Sequence, residues 1–127
     1  LPTEEEWEKA CRGDDGKKWS FGNEEVSGNA NTRELNLKWS GPVGSFPKDI
    51  SSYKVFDMTG NVMEWTESRY MPYPGTEMRA GFGGLDKVIR GGGWLVDIQS
   101  SRCSNRNVAP LTKRHRMLGF RCAKDIR

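Results

Sequence analysis

Glycine limits the folds open to this chain more than any other residue. It makes up 15 of 127 positions, and five tryptophans are spread among them. Glycine frees the backbone and weakens helix and strand interiors, whereas tryptophan buries a large apolar surface. The combination points to a loop-heavy domain pinned by aromatic anchors, with Trp7, Trp65, Trp94 and Phe120 read as core anchors. The length suits one domain with one core.

Regular elements are few. Thr3-Glu4-Glu5-Glu6 forms a capping box, in which the Thr3 hydroxyl and the Glu6 carboxylate each accept from the other residue's backbone N–H. Three acidic residues in the first turn also suit the helix dipole. Trp7, Ala10 and Cys11 fall on one helical stripe, Gly13 and Gly16 end the helix, and Glu4 to Glu8 read as its capped, exposed face. Short strands are expected at Val43–Phe46, Val62–Glu67, Lys87–Arg90 and Leu118–Ala123. Between Met71 and Gly84, two prolines and four glycines mark a long loop.

Composition excludes several functions. The formal charge of +3 is too small to argue for a nucleic-acid partner. No apolar run approaches the roughly 20 residues of a membrane span. His115 is the only histidine and the chain has no Cys-x-x-Cys pair, so zinc is not expected. A non-haem iron triad would need two histidines and a carboxylate. The cluster Lys113-Arg114-His115-Arg116 reads as a solvated basic loop or as a contact for an acidic partner.

Several segments occur in an order that resembles one family. These are Leu1-Pro2-Thr3-Glu4-Glu5-Glu6-Trp7-Glu8, Trp19-Ser20-Phe21-Gly22-Asn23, Pro42-Val43-Gly44-Ser45-Phe46-Pro47, Asp57-Met58-Thr59-Gly60-Asn61-Val62-Met63-Glu64-Trp65, Arg90-Gly91-Gly92-Gly93-Trp94, Arg102-Cys103-Ser104-Asn105-Arg106-Asn107 and Gly119-Phe120-Arg121. Together they resemble the formylglycine-generating enzyme, or sulfatase-modifying factor, family across nearly the whole chain. The resemblance implies an α+β, C-type-lectin-like fold with short strands, few helices and long ordered loops. It also implies a single domain over residues 1–127 that lacks the family's N-terminal portion.

In the family's enzyme, two cysteines after the Arg-Gly-Gly motif bind copper(I) and oxidise a substrate cysteine to formylglycine. Soft thiolates suit Cu(I). Here Gly93 to Arg102 contains no cysteine, so no copper and no catalytic residues are expected. Cys103 instead matches a structural cysteine of the family whose partner corresponds to Cys11. The resemblance implies that the two are spatial neighbours, bridged or merely adjacent; the alternative is that all the cysteines are small buried hydrophobes. Cys122 matches a second structural cysteine whose partner belongs to the N-terminal portion. The resemblance further implies structural calcium, or a vestige of its site, at Asp57, Gly60, Val62 and Glu64. Calcium takes oxygen ligands, mixing carboxylate with carbonyl. The alternative is that Asp57 and Glu64 brace a turn by accepting from buried N–H groups. A second calcium segment would fall near Asn31, Thr32 and Asn36, where Lys38 argues against it. Asn105 and Arg106 fall in the family's Arg-rich strand, either as a polar cleft floor or as a buried arginine satisfied by carbonyls.

The stretch between Gly-Gly-Gly-Trp and Gly-Phe-Arg also resembles the variable segment of diversity-generating retroelement proteins, in which this fold is mutagenised at adenines to vary a binding face. That resemblance implies a non-catalytic protein binding a ligand, usually another protein, through residues 95–118, with a cell or virion surface as its setting. The candidate residues are Leu95, Val96, Asp97, Ile98, Gln99 and Ser101, then Asn105, Asn107 and Val108, then Lys113, Arg114, His115 and Arg116. Leu95, Val96 and Ile98 would form an adaptable apolar patch, or else an ordinary core strand. The alternative functions are a diverged oxidase and an accessory domain of a larger protein.

Overall fold

A computed structural model describes residues 1–126, so Arg127 lies outside the described residues. Its one α-helix, α1 (Glu4–Arg12), starts at the expected capping box: Thr3 Oγ1 accepts from the Glu6 N–H, and Glu6 accepts from the Thr3 N–H. The helix stops at Gly13, whose φ of 71° is a left-handed conformation that glycine adopts without strain. Among the described residues, no helix is long and apolar enough to cross a membrane.

The rest is a small sheet and ordered loops. β1 (Met63–Arg69) pairs antiparallel with β2 (Lys87–Arg90), which pairs antiparallel with β3 (Asn107–Ala109). β4 (Leu118–Gly119) runs parallel to β1 on its other side, giving the order β3-β2-β1-β4. Two strand expectations need correction. Val43–Phe46 is a turn, closed by the Ser45 N–H donating to the Pro42 carbonyl, and it leaves Val43 90% exposed. The final strand ends at Gly119 rather than Ala123, and Phe120 is 68% exposed rather than a core anchor. Trp7 and Trp94 are buried as expected, and Trp65 is half-buried.

The core is built on Trp7, Cys11, Met58 and Cys103, with Ala10 and Val55 packed against it. Cys11 and Cys103 form a disulfide with a Cα–Cα distance of 5.7 Å, joining α1 to a segment 92 residues away. Closing a loop of that length removes much of the unfolded chain's freedom, worth about 4 kcal/mol.

Buried polar groups stitch the loops together. Arg90 is 1% exposed; its Nη1 donates to Glu8 Oε1 (2.9 Å) and the Cys103 carbonyl (2.8 Å), and its Nη2 to Glu4 Oε2 (2.8 Å). Arg106 adds two bonds to Glu4 (2.9 and 2.7 Å) and one to the Met71 carbonyl. Glu4 is therefore not on an exposed helix face but is buried between two arginines. Arg106 is a mostly buried cation held by a carboxylate and a carbonyl and stacked on Tyr70 and Tyr73, which fits the buried-arginine alternative.

Asp49 is buried and organises the turn from Asp57 to Asn61. It accepts from the Thr59 and Gly60 N–H groups and from the Ser20 hydroxyl. Burial pushes its carboxyl from 3.8 up to about 6, although these hydrogen bonds oppose the shift. Gly60 is required where this turn crosses Asn31, because a Cβ there would lie 2.6 Å from the Asn31 carbonyl oxygen.

Two outcomes are expected. Arg90→Met would remove one of the two cations on buried Glu4 and the donor to the Cys103 carbonyl, leaving Glu4 to Arg106 and Glu8 to Arg12, and should cost about 3 kcal/mol in urea unfolding; a loss below about 1 kcal/mol would mean that the network contributes little. Asp49 has a folded pKa above its unfolded value, so its stabilising contribution is fully present below about pH 4 and is lost as pH rises through about 6. Asp49→Asn should therefore flatten the fall in melting temperature between about pH 4 and 6, and an unchanged slope would contradict this assignment.

Candidate functional site

The segment after Trp94 leaves the sheet through Gly91, Gly92 and Gly93. Gly92 has φ 65°, and a Cβ there would sit 2.1 Å from Ser101 Oγ. No other residue type fits that position without displacing the 99–101 turn. Main-chain bonds then hold the segment: Trp94 N–H to the Asn61 carbonyl (3.1 Å) and Val96 N–H to the Gly93 carbonyl (2.9 Å).

A loop from the first half of the chain docks on it. The Arg33 N–H donates to the Val96 carbonyl (2.9 Å), and Glu34 accepts the Ile98 N–H on both oxygens (3.1 Å each) while taking the Thr32 hydroxyl (2.8 Å). Trp19 Nε1 donates to the Ile98 carbonyl (2.8 Å). The backbone from 93 to 98 is thus tied at nearly every residue.

The structure divides the expected binding residues. Ile98 and Ser101 are buried, with 1% and 0% exposure, and cannot belong to a displayed face; Ile98 is a core residue, and Ser101 Oγ donates to the Asp97 carbonyl. Residues 95–98 form neither a continuous apolar patch nor a core strand, since Leu95 is 47% exposed, Val96 is half-buried and the segment is a turn. Asp97 caps the next turn through the Ser100 N–H, Gln99 reaches Glu25, and Asn105 donates to the Ser100 carbonyl. Lys113, Arg114, His115 and Arg116 are all exposed.

Two clefts collect the exposed residues. Leu95 and Arg116 meet in one of ≈ 480 Å³, lined also by Arg33, Asn36, Lys38 and Trp94. Val108, Lys113 and His115 line a smaller, mostly apolar groove of ≈ 190 Å³ over Met63, Ile89, Ala109, Met117 and Leu118. Met117 joins the two, because its sulfur accepts from the Leu95 N–H (3.3 Å). Asn107 stands beside the groove in β3, the edge strand. Arg33 and Lys38 are absent from the sequence expectation as binding residues, and Asn36 enters it only as part of the second calcium segment. Their one local signal, an Asn and a Lys flanking Leu37 in a polar loop, does not say which distant segment the loop touches.

The turn from Asp57 to Glu64 bears on calcium. Asp57 accepts the Gly44 N–H on Oδ2 (2.8 Å), while its Oδ1 is buried without a hydrogen-bond partner among the described residues. Such an orphaned carboxylate oxygen suits a hard cation. Glu64 is more committed: Oε2 accepts from Trp7 Nε1 (2.8 Å) and Arg121 Nε (2.6 Å), and Oε1 from Arg121 Nη2 (2.6 Å). Arg121 thus already neutralises Glu64, and among the described residues no three carboxylate, histidine or cysteine side chains gather into a metal cluster, so Asp57 Oδ1 is the one carboxylate oxygen of this turn left open to a cation.

Comparison with known proteins adds three findings. Residues 1–126 match the family described as sulfatase-modifying factor enzyme 1-like domain. Among curated relatives, the hercynine oxygenase of Mycobacterium tuberculosis is 37% identical over 99% of this chain, and the inactive C-alpha-formylglycine-generating enzyme 2 of Mus musculus is 34% identical over 98%. The chain spans only 32% and 42% of their respective lengths. Among solved structures, Treponema denticola variable protein 1 superposes with a TM-score of 0.77 at 27% identity, covering 94% of this chain and 45% of that one. The α+β architecture is thus a C-type-lectin-like one.

Proposed function

Because the chain belongs to the sulfatase-modifying factor enzyme family yet has no cysteine between Gly93 and Arg102, we propose that it is a non-catalytic member that binds a ligand, a protein, through the exposed part of residues 95–118. The observation that carries this reading is the contrast within that segment. Its backbone is tied by hydrogen bonds, while Leu95, Gln99, Val108 and Lys113 to Arg116 project into solvent. A fixed backbone with exposed side chains lets residues change at low cost to folding and loses little entropy on binding. Likeness to a variable protein and to an inactive relative supports it.

The hercynine oxygenase likeness favours an enzyme as the second reading. The present chain has a single histidine, so a histidine-rich metal site would need residues outside residues 1–127. The purified protein, loaded with copper(I) and given a sulfatase-type cysteine peptide, should form no formylglycine by mass spectrometry. Measurable product would overturn the non-catalytic reading. Genes from several isolates should differ within codons 95–118 more than elsewhere, and an invariant segment would remove the variable-surface part of the proposal.

We further propose structural calcium at the 57–64 turn, held by the Asp57 and Glu64 carboxylates and the Gly60 and Val62 carbonyls. When bound, the ion would neutralise Asp57, whose Oδ1 has no partner among the described residues, and would cross-link the turn. At a hundredfold excess over Kd, linkage stabilises the folded state by ~2.7 kcal/mol. Calcium should therefore raise the melting temperature of the protein by several degrees, and not that of Asp57→Asn. A melting temperature indifferent to both calcium and chelator would leave the turn as a braced loop only.

A further inference from the structure

The larger cleft is a basic one. Arg33, Lys38 and Arg116 line it beside Trp94 and Leu95, and none of the side chains lining it is acidic. The nearest charge compensation is Asp97, 3.6 Å from Arg33, in a pair whose arginine is 64% exposed. Among the described residues, Lys38 and Arg116 make no hydrogen bond or ion pair through their side chains. Arg116 is instead stacked, its guanidinium 5.2 Å from the Trp39 ring centre and 6.0 Å from that of Trp94. Stacking fixes the plane of a guanidinium while leaving its N–H donors unspent.

Two further observations point to a ligand. Trp94 is 5% exposed, yet its Nε1 is buried without a partner. A buried indole N–H normally finds an acceptor. Lys38 holds a left-handed backbone at φ 59°, two residues after Asn36 at φ 53°. Asparagine tolerates that conformation, but lysine does so only under constraint from its surroundings. Lys38 thus lines the cleft from a backbone conformation that few non-glycine residues adopt. Its loop is anchored from behind by the bonds of Arg33 and Glu34 to Val96 and Ile98. The cations are therefore held near one another without a matching set of carboxylates, an arrangement that an incoming anion relieves.

We infer that this cleft is an anion-binding site that takes an acidic side chain of a bound peptide, with Arg116 as the bidentate donor and Lys38 and Arg33 as flanking charges. Planar guanidinium matches carboxylate geometry, and the ammonium adds a point charge. Trp39, 59% exposed, and Leu95, 47% exposed, offer apolar surface at the rim, so an aromatic or aliphatic residue next to the acidic one completes the recognised unit. This inference rests on the reading of residues 95–118 as a binding face and adds the chemical class of its ligand.

The test uses a fluorescein-labelled peptide of alternating Glu and Phe, and a Gln-for-Glu counterpart, titrated into the protein. Fluorescence anisotropy and the intrinsic emission of Trp39 and Trp94 are the readouts. The acidic peptide should bind saturably, quench tryptophan emission, and weaken several-fold between 50 and 300 mM salt, roughly as screening requires. Arg116→Gln and Lys38→Gln should each reduce affinity about tenfold, with thermal melting used to confirm folding, whereas Lys124→Gln, at an exposed position that lines neither cleft, should bind as the wild type does. Equal binding of the Gln peptide, or unchanged binding by the Arg116→Gln, Lys38→Gln double variant, would overturn the inference. So would displacement of the peptide by inorganic phosphate at equal charge concentration, which would assign the site to a free oxyanion. Failure here is separable from failure of the wider reading. A preparation that binds no acidic peptide and forms no formylglycine loses only the anion site, whereas one that binds the peptide but forms formylglycine loses only the non-catalytic reading.

Discussion

The buried guanidinium of Arg90 is the junction on which the rest of the structure depends. It lies in β2, yet its donors reach the first two turns of α1 through Glu4 and Glu8 and the segment at Cys103 through a carbonyl. The disulfide from Cys11 to Cys103 closes the same triangle covalently. A fold with one nine-residue helix and four short strands has little periodic hydrogen bonding to hold it. Long loops must be fixed by something that reaches across the chain, and charged side chains with several donors do this better than apolar contacts, which are not directional. Desolvating Arg90 is unfavourable in itself; the two carboxylates and the carbonyl offset that, so removing any one of them exposes the unpaired remainder.

A second junction has the same character. Glu64 binds Trp7 of α1 and Arg121 of the C-terminal segment, and Arg121 also donates to the Phe56 and Asp57 carbonyls. Together with Asp49 beneath the same turn, this makes the 57–64 segment the hub where the helix, the sheet and the chain end meet. Its motif residues thus have structural tasks whether or not a cation joins them.

What was legible in the sequence follows from this. The capping box of α1 is local, with every partner within three residues, and its reading matched. The strand at Lys87–Arg90 was equally plain in its short run of β-formers. Glu4 was misread as exposed because its partners, Arg90 and Arg106, lie 86 and 102 residues away. Val43–Phe46 looked like a strand from its apolar ends, but Pro42 lacks an N–H and Gly44, at φ 75°, turns the chain. Phe120 looked like an anchor from its motif; β4 ends one residue earlier, and no element covers its ring. The cleft was half legible. Its Arg116 wall stands out as a basic cluster, but its Arg33 and Lys38 wall is brought there by Glu34 bonding to Ile98, a contact over 64 residues that no spacing rule reveals.

On the proposed reading, the same long-range contact would let such a segment vary. Glu34 and Arg33 grip backbone atoms of Val96 and Ile98, not their side chains. Trp19 likewise grips the Ile98 carbonyl, and Asn61 the Trp94 N–H. Side-chain identity matters where the chain turns inward, at Ile98, Ser101 and Cys103, and where a side chain braces the turn, at Asp97, Asn105 and Met117. Between these anchors Leu95 and Gln99 face outward, and beyond β3 so do Lys113 to Arg116. A loop held by its own side chains would change shape with every substitution. A loop held by its backbone keeps its shape, so what changes is only the chemistry it presents to a partner.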